Sequence, residues 1–264
     1  MILLFSTARR LEFFTKTVES LVKHCPDINS LTDKVYILDD RSTWVDRASM
    51  EGLLTNIFDS EKITTITFNN SIEFGWVDKL NFISKLADDT EYFFLIEDDW
   101  EFVSPLNLPK HLQFMNFNDD IDLITFNGHW DLQVHENGKM PADTLVTECW
   151  DYCGNHDYNE IYWANPYPNG YRHCIAERGG VRTWVGVRVN NFSMNPGIFR
   201  SNMFKNNRFE KSDLWETSFL QGNQYKQLFL KEANVLHRGE DATLFDREKY
   251  DGQTIPGPKT VIID

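Results

Sequence analysis

The sequence contains little cysteine, no long hydrophobic run and few basic residues for its acidic content. Among its 264 residues are 4 cysteines, and 26 Lys and Arg face 40 Asp and Glu, for a formal charge of -14 at pH 7. A surface this acidic argues against nucleic acid or an anionic membrane as the main partner. No apolar run approaches the roughly 20 residues that cross a bilayer, and the apolar residues 1–5 are too short for a secretory leader. We therefore expect a cytoplasmic protein without a membrane span.

The cysteines leave several arrangements open. Cys149 and Cys153, with His156 and His173 nearby in the sequence, could bind zinc, but the C-x2-C pairs of structural zinc sites are absent. Reduced thiols of a cytoplasmic protein are the favoured interpretation, and a disulfide is a further alternative.

The first half of the chain alternates strand and helix patterns. Predicted strands cover residues 2–7, 34–38, 63–68 and 92–96, and predicted helices cover about 10–24, 50–57 and 76–87. This order predicts an α/β fold with a mostly parallel central sheet flanked by helices. Strands one, two and four each end in polar or charged residues, which should meet at one edge of the sheet.

The second half is less regular. We predict strands over residues 123–126 and 183–189, a short helical piece at about 198–204 and a helix over 215–231. Long loops and short strands are expected over about 128–180, and irregular structure is expected over 235–264. The length suits one domain, with a boundary between two functional halves at about residues 127 and 128.

The most informative stretch is residues 92–100, YFFLIEDDW. Its apolar run suits a strand covered on both faces, and Glu97, Asp98 and Asp99 then project where open α/β sheets bind ligands. Three adjacent acids repel one another unless a cation or a basic ligand balances them. Their oxygens suit Mg2+ or Mn2+, particularly with a diphosphate completing the coordination. The alternative is a solvated acidic loop.

Other motifs occur in a defined order along the chain. In the first half they are STARR at 6–10, TVESL at 17–21, DDRS at 39–42, GWVDKLN at 75–81 and EDD at 97–99. In the second half they are NPGIF at 195–199, WETSF at 215–219 and LHRG at 236–239. Together they resemble the GT-A glycosyltransferases, especially the inverting, family-two-like branch, over most of the chain.

The resemblance implies a GT-A (nucleotide-diphospho-sugar transferase) fold, with a nucleotide-sugar-binding half at about 1–127 and an acceptor-binding, catalytic half at about 128–264. It implies metal-dependent transfer of a sugar, with inversion, from a nucleotide-sugar donor to a glycan or other hydroxyl acceptor. A UDP-sugar is favoured and a GDP-sugar is second. The implied nucleotide-sugar residues are Thr7, Arg9, Arg10, Asp39, Asp40, Lys79, Asn81, Glu97, Asp98 and Arg238.

The resemblance also assigns the reaction chemistry. Asp99 is the implied direct ligand of Mn2+ or Mg2+, and His237 is a further candidate ligand. Glu216 is the implied general base, which accepts the proton of the acceptor hydroxyl. Its rivals are Glu210, Asp213, Glu240 and Asp241.

Simpler roles and other activities compete with these assignments. Asp39 or Asp40 could cap the following helix, and Glu216 could be an ordinary acid in a first helical turn. A sugar nucleotidyltransferase is an alternative, although residues 7–10 have no glycine for a phosphate loop. A non-catalytic carbohydrate-binding protein on the same fold is another. A glycoside hydrolase also uses two carboxylates, but it needs no nucleotide site at the first strands.

Overall fold

A computed structural model describes residues 1–68, 75–126, 151–152, 155–166, 171–178, 181–188, 196–205, 209, 226–230, 234–238 and 260–263. Side chains are described for residues 1–68, 77–126, 196–205, 209, 234–236 and 238. For the other residues in these ranges the description is of the backbone.

The first half folds as the predicted alternation of strands and helices. Its elements are β1 (Ile2–Thr7), α1 (Leu11–His24), α2 (Ile28–Leu31), β2 (Lys34–Asp39), α3 (Trp44–Thr55), β3 (Ile63–Phe68), α4 (Gly75–Leu86) and β4 (Tyr92–Glu97). The four strands pair in parallel in the order β3-β2-β1-β4. A 3₁₀ turn at Ser60–Lys62 leads into β3.

Both faces of β1 are buried, which explains the uninterrupted apolar sequence of residues 2–5. Leu3 and Phe5 belong to the core that includes Phe14 of α1, and the Phe5 and Phe14 rings meet edge to face at 5.3 Å between centroids. Ile2 and Leu4 belong to the second core, which includes residues of α4. Successive strand residues point to opposite faces, so a strand covered on both sides needs apolar residues at every position.

The chain after β4 completes the sheet. Its elements are β5 (Trp100–Phe102), α5 (Leu108–Phe117), β6 (Leu123–Thr125), β7 (Asp151–Tyr152), β8 (Asn155–Pro166), β9 (Tyr171–Arg178), β10 (Val181–Arg188), β11 (Gly197–Arg200), β12 (Lys226–Leu230), β13 (Val235–His237) and β14 (Thr260–Ile263). The large sheet runs in the order β10-β9-β8-β12-β6-β11-β4-β1-β2-β3-β14, and β13 pairs separately with β5.

The central part of this sheet is mostly parallel. From β12 to β14 along the sheet order, every described strand except β11 points the same way. Beyond β12, strands β8, β9 and β10 continue the sheet in antiparallel pairs. The predicted α/β fold, with a mostly parallel central sheet and flanking helices, is confirmed. None of the helices in the described part of the chain is both long and apolar enough to cross a membrane.

Four secondary-structure predictions after residue 127 are wrong. The irregular structure expected over 235–264 includes the strands β13 and β14. Residues within 128–180 that were expected in loops and short strands form the longer strands β8 and β9, which need no apolar periodicity because strand pairing joins backbone groups. The helix predicted over 215–231 includes residues 226–230, which form β12 between β6 and β8. The helical piece predicted at 198–204 begins as β11, and only Ser201–Met203 forms a 3₁₀ turn. Short apolar runs do not separate strand from helix, so sheet pairing decided these segments.

Candidate active site

The ends of β1, β2 and β4 lie side by side, as the sequence predicted. In the sheet register Thr7 lies opposite Asp39, and Ser6 lies opposite Glu97. The first-strand, second-strand and acidic motifs therefore meet at the carboxyl edge of three adjacent parallel strands. This edge is where open α/β sheets bind their ligands.

Asp98 is the most firmly held residue of this edge. Its buried carboxylate accepts hydrogen bonds at Oδ2 from the Thr7 hydroxyl, at 2.8 Å, and from the Ala8 N–H, at 3.2 Å. Its backbone N–H donates to the Ser6 carbonyl, and its own carbonyl accepts from the Thr17 hydroxyl at 2.7 Å. Residues of β1 and α1 thus fix both the backbone and the side chain of Asp98.

Arg10 joins the two aspartates of the acidic motif. Its Nη1 donates to Asp99 Oδ2 at 2.9 Å, its Nε donates to Asp98 Oδ2 at 3.3 Å, and its Nη2 bonds Asp98 Oδ1. Burial opposes the charged guanidinium, but the charges of Asp98 and Asp99 outweigh it and raise the pKa of Arg10. A planar fork of this kind is the strong form of an arginine–carboxylate contact.

Lys79 supplies a second positive charge beneath the same edge. Its buried Nζ donates to the Ser6 hydroxyl at 2.9 Å and to the Thr7 carbonyl at 3.3 Å. Burial lowers the pKa of Lys79, and the charge of Asp40 opposes that shift. Burial, reinforced by Asp99, raises the pKa of Glu97 to about 7. Lys79 and Arg10 oppose this rise in the pKa of Glu97, so basic side chains of the protein itself reduce the repulsion expected among the three acids.

The two aspartates that follow β2 have different environments. Both carboxylate oxygens of Asp39 accept from the Ser42 N–H at 3.2 Å, and Arg47 Nη1 lies 3.5 Å from Asp39 Oδ2. Asp39 is fully buried, whereas the side chain of Asp40 is 25% exposed. Asp39 therefore shapes the turn, and Asp40 is the one whose carboxylate a ligand can reach.

The loops after β1 and β2 contain matching backbone features. Arg9 has φ 58° and Arg41 has φ 62°, both in the left-handed region that residues other than glycine seldom adopt. The Arg9 N–H donates to the Ser42 hydroxyl at 3.0 Å, and the Asp40 N–H donates to the Thr7 carbonyl. The two loops are thus hydrogen-bonded to each other. Backbone strain such as the positive φ of Arg9 and Arg41 persists only where surrounding contacts enforce it, which is common at functional sites.

The chain returns to the acidic motif through β13. His237 lies opposite Trp100 in the register of β5 and β13, and the Arg238 N–H donates to the Asp99 carbonyl at 2.7 Å. The structure thereby brings the His237–Arg238 backbone beside Asp99. The Arg238 side chain points to Glu101, with Nε 2.7 Å from Oε2.

Asn81 makes a contact outside this cluster, and the predicted base is not among the described residues. The Asn81 amide pairs with both backbone groups of Phe209, at 2.9 Å each, which links α4 to the second half. This contact uses both ends of the amide and indicates a structural role. Glu216 and its rivals Glu210, Asp213, Glu240 and Asp241 lie outside the described residues.

Sequence reasoning did not assign the supporting residues Thr17, Ser42 and Arg47. The spacing of Asp39 and Ser42 is a visible signal, since an aspartate that accepts from a nearby backbone N–H is a common turn device. Thr17 lies on the buried face of α1, and its contact with Asp98 spans 81 positions. No local pattern predicts a contact of that range.

The acidic side chains do not form a metal site in this arrangement. Within the described ranges, no three His, Cys, Asp or Glu side chains are grouped so as to hold a metal ion. Carboxylate oxygens are suitable donors for Mg2+ or Mn2+. However, Arg10 bonds both carboxylates, and Thr7 and Ala8 also use Asp98 Oδ2. With Arg10 in this position the donor set does not fit a divalent cation.

Comparison with known proteins gives distant similarities. No family model matches the chain, and no curated protein matches it significantly. Among solved structures, the galactosyltransferase LgtC with donor and acceptor sugar analogues is 14% identical, with a TM-score of 0.35 over 56% of this chain and 55% of LgtC. Mouse xyloside xylosyltransferase 1 is 12% identical, with a TM-score of 0.32 over 56% of this chain and 63% of that enzyme.

A third solved structure matches more of the chain. CMP:2-keto-3-deoxy-manno-octonic acid synthetase with CTP is 10% identical, with a TM-score of 0.41 over 86% of this chain and 88% of the synthetase. The matches to the LgtC complex and to the mouse enzyme span 55% and 63% of those proteins, and a second LgtC structure, of an active-site mutant, is 14% identical with a TM-score of 0.40 over 86% of this chain and 67% of LgtC. At these identities and TM-scores the similarities assign no activity to this chain.

Proposed function

We propose that this protein is a glycosyltransferase that moves a sugar from a nucleotide-sugar donor to a hydroxyl of a glycan or other acceptor. The observation that carries the proposal is the convergence of Thr7, Asp40, Lys79 and the Arg10–Asp98–Asp99 cluster at the carboxyl edge of β1, β2 and β4. A UDP-sugar is the favoured donor and a GDP-sugar is second.

The described contacts support a separate role for each of these residues in donor binding. Asp40 has an accessible carboxylate, which suits acceptance of hydrogen bonds from the ribose or base. Lys79 is almost entirely buried, so it acts on a bound diphosphate through its positive charge rather than by direct contact. Arg9, in the loop held against Ser42, adds positive charge at the same edge, and Arg238, whose backbone bonds Asp99 and whose side chain pairs with Glu101, would have to leave Glu101 to contact phosphate.

The proposed reaction is a single displacement at the anomeric carbon. The acceptor oxygen forms a bond to that carbon while the bond to the nucleoside diphosphate breaks, and the hydroxyl proton passes to the Glu216 carboxylate. Because one displacement leaves no covalent sugar intermediate, the configuration inverts. Mn2+ or Mg2+ at Asp99 and His237 stays a prediction. Such an ion would neutralise charge on the departing diphosphate, but Asp99 is paired with Arg10 in this structure.

The donor site is tested by calorimetric and thermal-shift titration with UDP-, GDP-, CMP- and dTDP-sugars, with Mn2+ and with EDTA. A specific donor at a hundred times its dissociation constant should add about 2.7 kcal/mol to the free energy of unfolding. Asp40→Asn should weaken donor binding by roughly 10- to 100-fold, the effect of losing a charged hydrogen-bond acceptor.

Asp59→Asn is the matched control because it removes the same charge from an exposed side chain before β3, at the opposite edge of the sheet. It should bind donor like the wild type. Equal donor affinities for the Asp40 and Asp59 variants would place the donor elsewhere, and binding of no nucleotide sugar would refute the proposed function. Release of pyrophosphate instead of a nucleoside diphosphate during turnover would favour the nucleotidyltransferase alternative.

A further inference from the structure

Arg10 occupies the two carboxylates that the sequence assigns to a metal centre. Its guanidinium donates to Asp99 Oδ2 at 2.9 Å and bonds both oxygens of Asp98. Asp98 Oδ2 also accepts from Thr7 and Ala8. The Arg10 guanidinium, a cation of the protein itself, therefore already lies between these two acids.

The position of Arg10 is itself well defined. It immediately precedes α1, and its carbonyl accepts the Phe14 N–H at 2.9 Å, which anchors its backbone to the first turn. Its guanidinium carbon also lies 5.8 Å from the centroid of the Phe13 ring. The side chain therefore has an aromatic support on α1 as well as two carboxylate partners.

A divalent cation and this guanidinium compete for the acids. Mg2+ and Mn2+ bind carboxylate oxygens at about 2.0–2.2 Å and need lone pairs that face the ion. The Arg10 N–H groups already use lone pairs of Asp98 and Asp99, and two cations so close together repel strongly in a partly buried site.

We propose that Arg10 is the resident counter-cation of the Asp98–Asp99 pair, and that a divalent cation binds this pair only in competition with Arg10. Free protein therefore binds the ion weakly. Removing the guanidinium turns a paired, partly neutralised site into an open anionic one. The competition concerns only the metal and this arginine, so it does not depend on the nature of the donor.

The test measures binding of Mn2+ alone, without nucleotide, to the full-length protein by calorimetry and by the electron paramagnetic resonance signal of free Mn2+. We expect Arg10→Gln to bind Mn2+ at least tenfold more tightly than the wild type. Arg9→Gln is the matched control because it removes the same charge one residue away, from a side chain with no described bond to Asp98 or Asp99. It should bind Mn2+ within about threefold of the wild type.

Loss of Arg10 leaves two buried carboxylates without their counter-charge, which destabilises the fold. Added Mn2+ should therefore raise the melting temperature of Arg10→Gln more than that of the wild type. Arg10→Lys is the second variant, since a lysine keeps the charge but cannot span both carboxylates with a planar fork. Its Mn2+ affinity should lie between those of the wild type and Arg10→Gln.

Equal Mn2+ affinities for the wild type, Arg10→Lys and Arg10→Gln would overturn the proposal, as would no measurable binding to any of them. An equal gain in Arg9→Gln would also overturn it, because the effect would then be one of overall charge. Since no nucleotide is present, none of these outcomes bears on donor binding, which the Asp40 variant tests separately.

Discussion

A methyl group added at Gly197 tests whether β11 occupies the centre of the sheet. Gly197 pairs with Leu95 of β4 on one side and with Thr125 of β6 on the other. A Cβ atom at this position would lie 2.9 Å from the Ile124 carbonyl oxygen and 3.0 Å from Leu123 Cδ1. The carbonyl belongs to a central strand and cannot swing aside as a flexible side chain could. We therefore expect Gly197→Ala to lower the free energy of unfolding by about 1–3 kcal/mol, the usual cost of overpacking.

Gly52 provides the matched control with the opposite expected sign. It lies exposed in α3, and an added Cβ would meet nothing within 4 Å. Alanine in a helix loses less backbone entropy on folding than glycine does, so Gly52→Ala should raise the free energy of unfolding by about 0.5–1 kcal/mol.

Both variants carry the same chemical change, so urea denaturation followed by circular dichroism compares them directly. The midpoint should fall for Gly197→Ala and rise for Gly52→Ala, with similar dependence on urea concentration. A Gly197→Ala protein as stable as the wild type would contradict the close packing of β11 between β4 and β6. If both variants were destabilised equally, the packing argument would lose its support.

Two further predictions concern the base and a buried thiol. Glu216→Gln should leave donor binding nearly unchanged and reduce turnover by roughly two to four orders of magnitude, the usual contribution of a general base. Proton NMR of the product should show that the anomeric configuration is inverted. Near-normal turnover of the variant would move the base to another acid, and a retained configuration would contradict the inverting mechanism. Burial raises the pKa of Cys25 to about 12, so only about one thiol in ten thousand is ionised at pH 8. Peptide mapping after iodoacetamide treatment should find Cys25 unmodified in the folded protein and labelled after unfolding in urea. Equal labelling of Cys25 in both states would contradict its burial.

The strands and helices of the first half were predictable because each is specified by its own local sequence. The strands predicted at 2–7 and 63–68 match β1 and β3 in full, and the helical spacing at 10–24 matches α1 within one residue. A strand covered on both faces and a helix covered on one leave distinct hydrophobic patterns. The same patterns indicated that β1, β2 and β4 end at a common polar edge.

The segments that depend on their neighbours were not predictable. Residues 226–230 are suitable for a helix by composition, yet they form β12 because β6 and β8 lie on either side to accept its backbone hydrogen bonds. The strands β8 and β9 have few alternating apolar residues, and their pairing is a property of two segments rather than one. The local sequence of a strand does not show which other segment of the chain will lie beside it in the sheet.

The candidate site likewise has features that the local sequence determines and features that depend on tertiary packing. The sequence alone determined which residues carry charge, that acids end a buried strand, and that Asp39 and Asp40 end another. Only the tertiary structure decided that Asp39 is enclosed by Ser42 and Arg47 while Asp40 remains accessible. The distinction arises because the type of side chain is a property of one position, whereas its burial depends on everything packed around it.

The same reasoning explains the acidic motif. Glu97, Asp98 and Asp99 show by their sequence alone that some positive charge must balance them. The identity of that charge follows from packing: the loop after β1 places Arg10 across Asp98 and Asp99, and α4 places Lys79 beneath residues Ser6 and Thr7 at the end of β1. Arg10 and Asp99 are 89 positions apart in the chain. Contacts across that separation form only when parallel strands align, so the tertiary structure alone decided that the protein supplies its own cation.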